Sequence, residues 1–440
     1  DFRERDGAQA VNLTVVLVLV VIFSFGIGHL LTRYASRFVT LSGAEYILVG
    51  VLIGPHFPWK LVSEQALVQL SPLISLLLGL VGFVIGLRGR SGPRRLDVTL
   101  VGWVSALLVL MTVAAAVIPV LRWLVPVNEV DADFVVNQLV YRGFGYLIEV
   151  HFASTHLWVA LGIGASAAVA SPLLLESMTR LTGSKGRVSM MLESTAAASQ
   201  VVAVLVLGGV LATARATEAA GRFSMTVAEW ELAAIGVGVV SGLLFGLFIG
   251  KESEPSRIFL ATVGLVTFAS GVGAALSISP LFVTMLAAVT VSVTSSHAER
   301  VRVHVGRLQH ALFVLLMIFA GALWNPVSGW EWLLPVFYVL VRFAARRVGT
   351  ALCAKLILDP PLLARRLGNG LLSQGTLAVA VGVNFAQRFP EFASLILTTV
   401  LIGTLLSDLF STRMLRALLA DAGELGDELE GEATRAEAST

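Results

Sequence analysis

The sequence predicts an all-α polytopic membrane protein with about thirteen transmembrane helices, because apolar stretches of about 20 residues, enough to cross roughly 30 Å of hydrocarbon, recur along it. Two further observations agree. Of 440 residues, 56% are apolar and 14% charged, with a mean hydropathy of +0.85, and a soluble domain of that composition would leave large apolar patches in water. Lys and Arg fall in the connections between apolar stretches, where they report topology. The net charge of +2, spread in this way, excludes a nucleic-acid partner and leaves the lipid bilayer as the surroundings. No ATP site, nucleophile triad or metal centre is legible, so neither enzyme chemistry nor a cofactor is expected.

Breaks at Pro, Gly and charge clusters place helices over 11–32, 38–55, 67–87, 98–122, 155–176, 190–213, 229–250, 256–276, 278–296, 308–324, 332–356, 368–388 and 393–418. Val11–Leu31 is too long for a signal-peptide core and reads as the first span, after a short segment 1–10. The 123–154 connection carries Phe134, Val135, Leu139, Val140 and Phe144 at a spacing that suits an amphipathic segment on the outer surface. Gly238, Gly242, Gly246 and Gly250 lie on one face of the seventh helix, where another helix can approach closely. Cys353 is the lone cysteine and reads as a packing residue. From Asp421 onward, seven acidic residues among small ones cannot build a core, so 419–440 is expected to be a disordered tail outside the 11–418 membrane domain.

Basic clusters orient the chain. Arg33 and Arg37; Arg88, Arg90, Arg94 and Arg95; Arg180, Lys185 and Arg187; Lys251 and Arg257; Arg300, Arg302 and Arg307; and Lys355, Arg365 and Arg366 all fall on one side. The positive-inside rule makes that side cytoplasmic, with the N-terminus outside and the C-terminus inside.

Two helices should be broken. The fifth contains Ala170-Ser171-Pro172, where proline removes a backbone donor and disfavours helix before it. The twelfth contains Ser373-Gln374-Gly375, ending in the residue most tolerant of unusual backbone angles. Their offset of seven fits two inverted six-helix units flanking a linking helix, the layout of a secondary transporter. From the residues alone, two ordinary kinks fit equally well.

Several segments, taken in order, resemble the membrane domain of the monovalent cation/proton antiporter superfamily. Ser42–Pro55 is similar to its second helix, and Leu276–Leu281 with Leu286-Ala287-Ala288 to its Leu-Ser-Pro and Leu-Ala-Gly helix. Phe313–Asn325 resembles its Phe-Phe-Gly segment, Asn369–Val381 its penultimate broken helix, and Leu401–Leu418 its last helix. The resemblance implies an inverted-repeat fold with two crossing broken helices, elevator-type exchange of Na⁺ or K⁺ against protons, and a homodimer. Glu193-Ser194 resembles the pair that precedes the family's ion-binding carboxylate, but the chain continues Thr195 to Gln200 with no Asp. Ser and Gln do not titrate near neutral pH, though they offer oxygens to a cation or donors to an anion.

The candidate ion site is therefore atypical and lacks a carboxylate: Ser171 and Pro172, Ser199 and Gln200, and Ser373, Gln374 and Gly375. Arg342, Arg346 and Arg347 lie well inside the eleventh helix, where charge is costly unless paired. Glu193 with Arg342 or Arg346 is the expected structural ion pair, and Asp408 is expected to bond locally or to pair with Arg413. The missing carboxylate also leaves open a transport-inactive sensor, scaffold or subunit of a complex, for which a partner chain is expected.

Overall fold

The structure, a computed structural model, describes residues 45–58, 61–88, 96–125, 155–184, 186–218, 225–249, 252, 254–295, 298–357 and 366–424. The first expected span and the 123–154 amphipathic segment thus lie largely outside the described residues, as does most of the acidic tail. Helices in order are α1 (Glu45–Ile53), α2 (Glu64–Gln69), α3 (Ser71–Arg88), α4 (Leu96–Leu124), α5 (Thr155–Ala168), α6 (Pro172–Thr182), α7 (Arg187–Glu218), α8 (Val227–Ile249), α9 (Pro255–Ala275), α10 (Pro280–Thr294), α11 (Ala298–Ala322), α12 (Leu333–Ile357), α13 (Gly375–Arg388) and α14 (Ala393–Asp421). No strand occurs among the described residues.

Seven of these spans are long and apolar enough to cross a membrane, counting α5 and α6 together. Their outward faces carry large apolar side chains where a soluble protein would carry charge. Leu247 and Phe248 on α8, for example, are each 79% exposed. Such a surface suits lipid.

The helices pack in two groups. In one, α4 packs on α5, α7 and α12, and α13 on α5 and α14; in the other, α3 packs on α9, α10 and α11, with α8 on α10 and α1 on α11. Contacts of α7 with α8 and of α11 with α13 join them. Gly238 and Gly242 make the α8–α10 contact possible, since a Cβ there would come within 2.7 Å and 2.6 Å of the Val283 and Ala287 carbonyl oxygens. Between α9 and α10 the chain turns at Ser277, which adopts a left-handed φ of 57°, and Ser279 caps α10 by accepting from the Phe282 amide. The two are separate helices, as Pro280 requires.

The C-terminal boundary differs from the composition-based expectation. α14 runs to Asp421, and Glu424 folds back onto the start of α7, accepting from the Val188 and Ser189 amides at 2.6 and 3.0 Å. A carboxylate satisfies the orphan donors and the positive end of a helix. This local cap orders the first residues of a segment too polar to form a core.

Candidate functional site at the helix crossing

Both expected breaks form, and they meet. α5 ends at Ala168 and α6 starts at Pro172, while a 3-10 turn over Leu367–Leu371 precedes α13, which starts at Gly375. Gly375 has φ 63°, a conformation other residues adopt at a cost. The Ser171 amide donates to the Ser373 carbonyl at 2.9 Å, so each break pairs with the other.

Non-helical backbone inside a membrane needs partners for its polar groups, and α12 supplies most of them. Tyr338, Arg342 and Arg346 stand four residues apart on one face of that helix, each 1% exposed or less. Arg342 Nε and Nη2 donate to the Ala167 and Val169 carbonyls at 3.1 Å each, and Nη1 donates to Leu372 at 2.7 Å. Arg346 Nη2 donates to the Ala168 carbonyl. Two cations thus hold the negative, C-terminal end of α5, and one of them also reaches the second break. The Ala170 amide donates to Ser199 Oγ at 3.1 Å.

Asp408 on α14 serves the opposite pole. Its Oδ1 accepts from Ser373 Oγ at 2.8 Å and from the Gln374 amide at 3.0 Å, just before α13 begins. The Gln374 side chain donates to the Ser166 carbonyl at 3.1 Å and to Tyr338 Oη at 2.6 Å.

Two sequence-based pairings are corrected. Glu193 does not pair with Arg342 or Arg346: its carboxylate bonds Thr179 and neighbours Glu176 and Arg88. The arginines are drawn instead to carbonyl groups exposed by the break. Asp408 turns to the Ser373–Gln374 break and not to Arg413, because unpaired backbone donors are concentrated there.

The seven candidate residues separate by role. Ser199, Ser373 and Gln374 have their polar side-chain groups engaged in the network. Ser171 and Gln200 line a cavity of about 20 Å³ between the two helix groups, with Arg88, Gln309, Gln374 and Thr376 also in its wall. On this measure a single water needs about 10–15 Å³. Gln200 is 8% exposed, and its amide bonds no other described residue. Arg88 ion-pairs Glu176 at 3.3 Å and donates to Gln309 Oε1 at 3.3 Å, linking α3 to α6 and α11.

Sequence reasoning missed Tyr338, Arg88 and Thr376. The four-residue spacing of Tyr338, Arg342 and Arg346 was a usable signal, whereas the wall position of Arg88 depends on long-range packing.

No family model and no curated protein match the chain. Among solved structures, it is similar to the sodium proton antiporter MjNhaP1 from Methanocaldococcus jannaschii at pH 8, with a TM-score of 0.62 and 14% identity, covering 92% of this chain and 99% of that one. It is also similar to an electron-microscopy structure of that antiporter, with a TM-score of 0.54 and 15% identity over 96% of this chain and 97% of the other. With the crossed breaks, this likeness shows that the chain shares the fold of that sodium proton antiporter.

Proposed function

We propose that the chain is a secondary-active ion transporter that works by alternating access on an antiporter scaffold. The observation that carries this reading is the unpartnered polar wall of Ser171 and Gln200 beside two crossed helix breaks, since broken helices in a bilayer serve to line ion sites. The neighbours named above are sodium proton antiporters, which makes Na⁺ or K⁺ against protons the first exchange to test. The described cavity wall offers no carboxylate, so coupling here differs from competition of a proton and a cation for one Asp.

The cavity lies at the junction of the two helix groups, which supports an elevator-like movement of the α5–α6, α7 and α13 side against α3 and α11. The apolar outer faces of α8 and α9 suit a second copy as well as lipid, so a homodimer belongs to the proposal. Glu424 lies beside the turn that bears Arg187, on the side of the basic loops, which supports a cytoplasmic C-terminus.

The test is flux in proteoliposomes: pH and Na⁺ or K⁺ gradients are imposed and a pH dye is read against protein-free vesicles. Cation-driven proton movement is expected. A second reading, a transport-inactive sensor or subunit, is favoured by one observation: Arg342, Asp408 and Tyr338 saturate much of both breaks internally. It predicts no movement under any gradient and co-purification of a partner chain.

A further inference from the structure

We infer that Arg88 is a latch across the cavity: its contacts with Glu176 and Gln309 tie the two helix groups together at the end nearest the basic loops, and the cavity opens there when they break. This rests on the reading of the cavity as the ion site of a moving transporter and adds the residue that gates it.

The wall itself shows where these contacts stand. α3 lines the cavity with Val81, Val84, Ile85 and Arg88, which share one helical face, and Arg88 is the last residue of that helix. α11 lines it with Gln309 and Phe313, one turn apart, and Gln309 is the one nearer the start of the helix, where Arg300 and Arg302 stand. α6 lines it with Pro172 and Leu173, and Glu176 follows about one turn later, on the way to Arg180. Arg88, Gln309 and Glu176 therefore meet at the end of the cavity that faces the basic connections.

The ion pair crosses the junction. Arg88 Nη1 lies 3.3 Å from Glu176 Oε1, and Nη2 donates to Gln309 Oε1 at 3.3 Å. α6 packs on α7 and α14, whereas α3 packs on α9, α10 and α11. Glu176 thus belongs to one group, and Gln309, 7% exposed, holds the guanidinium from the other.

The strength of the pair suits a contact remade in every cycle. The Arg88 and Glu176 side chains are 23% and 37% exposed, so water competes with the pair and salt screens it. A fully buried pair would lock the groups together. Glu193 is a second carboxylate on the Glu176 side, with Glu176 and Arg88 as its charged neighbours. It stands seven residues before Gln200 on the same face of α7, where it can take up the guanidinium when Glu176 is lost.

The test reads the cavity wall directly. In the full chain carrying Cys353→Ser, Gln200→Cys and, separately, Thr376→Cys report from two walls, and a membrane-impermeant thiol reagent is added on the basic-loop side of oriented proteoliposomes without an ion gradient. Arg88→Gln should speed labelling about fivefold, the factor expected for an ion pair this exposed. Glu176→Gln should speed it less, because Glu193 substitutes, and combining it with Arg88→Gln should add nothing further. Choline chloride should speed labelling when Arg88 is present and leave the rate of Arg88→Gln unchanged. If Arg88→Gln does not fold, Glu176→Gln together with Glu193→Gln carries the same test with the same expected rise. Rates indifferent to Arg88, or independent effects of Arg88→Gln and Glu176→Gln that multiply, would overturn the inference. So would the absence of labelling at both reporters in every background, because the contacts would then gate nothing. Labelling needs no flux, so an inactive protein whose wall opens on loss of Arg88 keeps the latch and loses the transport reading, while active transport with rates indifferent to Arg88 does the reverse.

Discussion

The Ser171 amide donates to the Ser373 carbonyl at 2.9 Å, tying the two helix breaks into one unit. Around that bond Arg342 holds carbonyls from both breaks, while Asp408 holds the amide that opens α13. Charge is matched to helix polarity at each end.

Arg342 should be the least replaceable residue of this unit. Loss of its bonds to Ala167, Val169 and Leu372 orphans buried carbonyl groups, and breaking a buried charged contact costs about 3–5 kcal/mol. Arg342→Met should therefore abolish folded, monodisperse protein or sharply lower Tm. Arg342→Lys should recover little, because one ammonium cannot span three carbonyls in the fork geometry of a guanidinium.

Asp408 predicts a graded series. Asp408→Asn keeps an acceptor oxygen for Ser373 and Gln374 and should lose about 1.5–3 kcal/mol, the usual value of bonds to a charged group. Asp408→Ala should lose more. Equal unfolding midpoints for the two variants in detergent would show that the bonds to the break contribute nothing.

Gly375→Ala combines two penalties. Its φ of 63° disfavours a side chain, and the new Cβ would stand 2.6 Å from Ser171 Oγ. A cost of about 1–3 kcal/mol is expected from strained backbone of this kind. Adding Ser171→Gly should restore the steric part and leave the backbone part, which a double-mutant cycle separates.

Much of this architecture was legible from local chemistry. Proline after Ala170-Ser171 disfavours helix before it, glycine after Ser373-Gln374 permits the positive φ of a break, and both breaks form where those residues stand. The spans followed from runs of apolar residues longer than any soluble core helix requires. Pairings across the bundle were not legible. Sequence suggests that a buried Arg needs an anion, yet Arg342 finds carbonyl dipoles that exist only because α5 stops at Ala168. Glu424 was hidden for the converse reason: composition described its segment correctly on average, while one carboxylate met one helix end.

Glu193 tests the corrected pairing. With no bond to Arg342 or Arg346, Glu193→Gln should change stability by less than about 1 kcal/mol, the range of partly exposed charge contacts. A large drop in Tm would instead indicate the buried Glu–Arg pair that the sequence suggested.

Glu424→Ala should lower stability by about 0.5–2 kcal/mol, as removal of a helix cap does. The effect should be local, seen as faster amide exchange at Val188 and Ser189 with the helix crossing unchanged.

Alternating access through the cavity is tested most directly by cysteine accessibility. Cys353 is the chain's lone cysteine, so Cys353→Ser with Gln200→Cys gives one reporter in the cavity wall. In oriented proteoliposomes, a membrane-impermeant thiol reagent should reach it from either side, with the ratio of rates changing when the ion gradient is reversed. Labelling from one side alone under every gradient would contradict alternating access and favour the sensor or subunit reading.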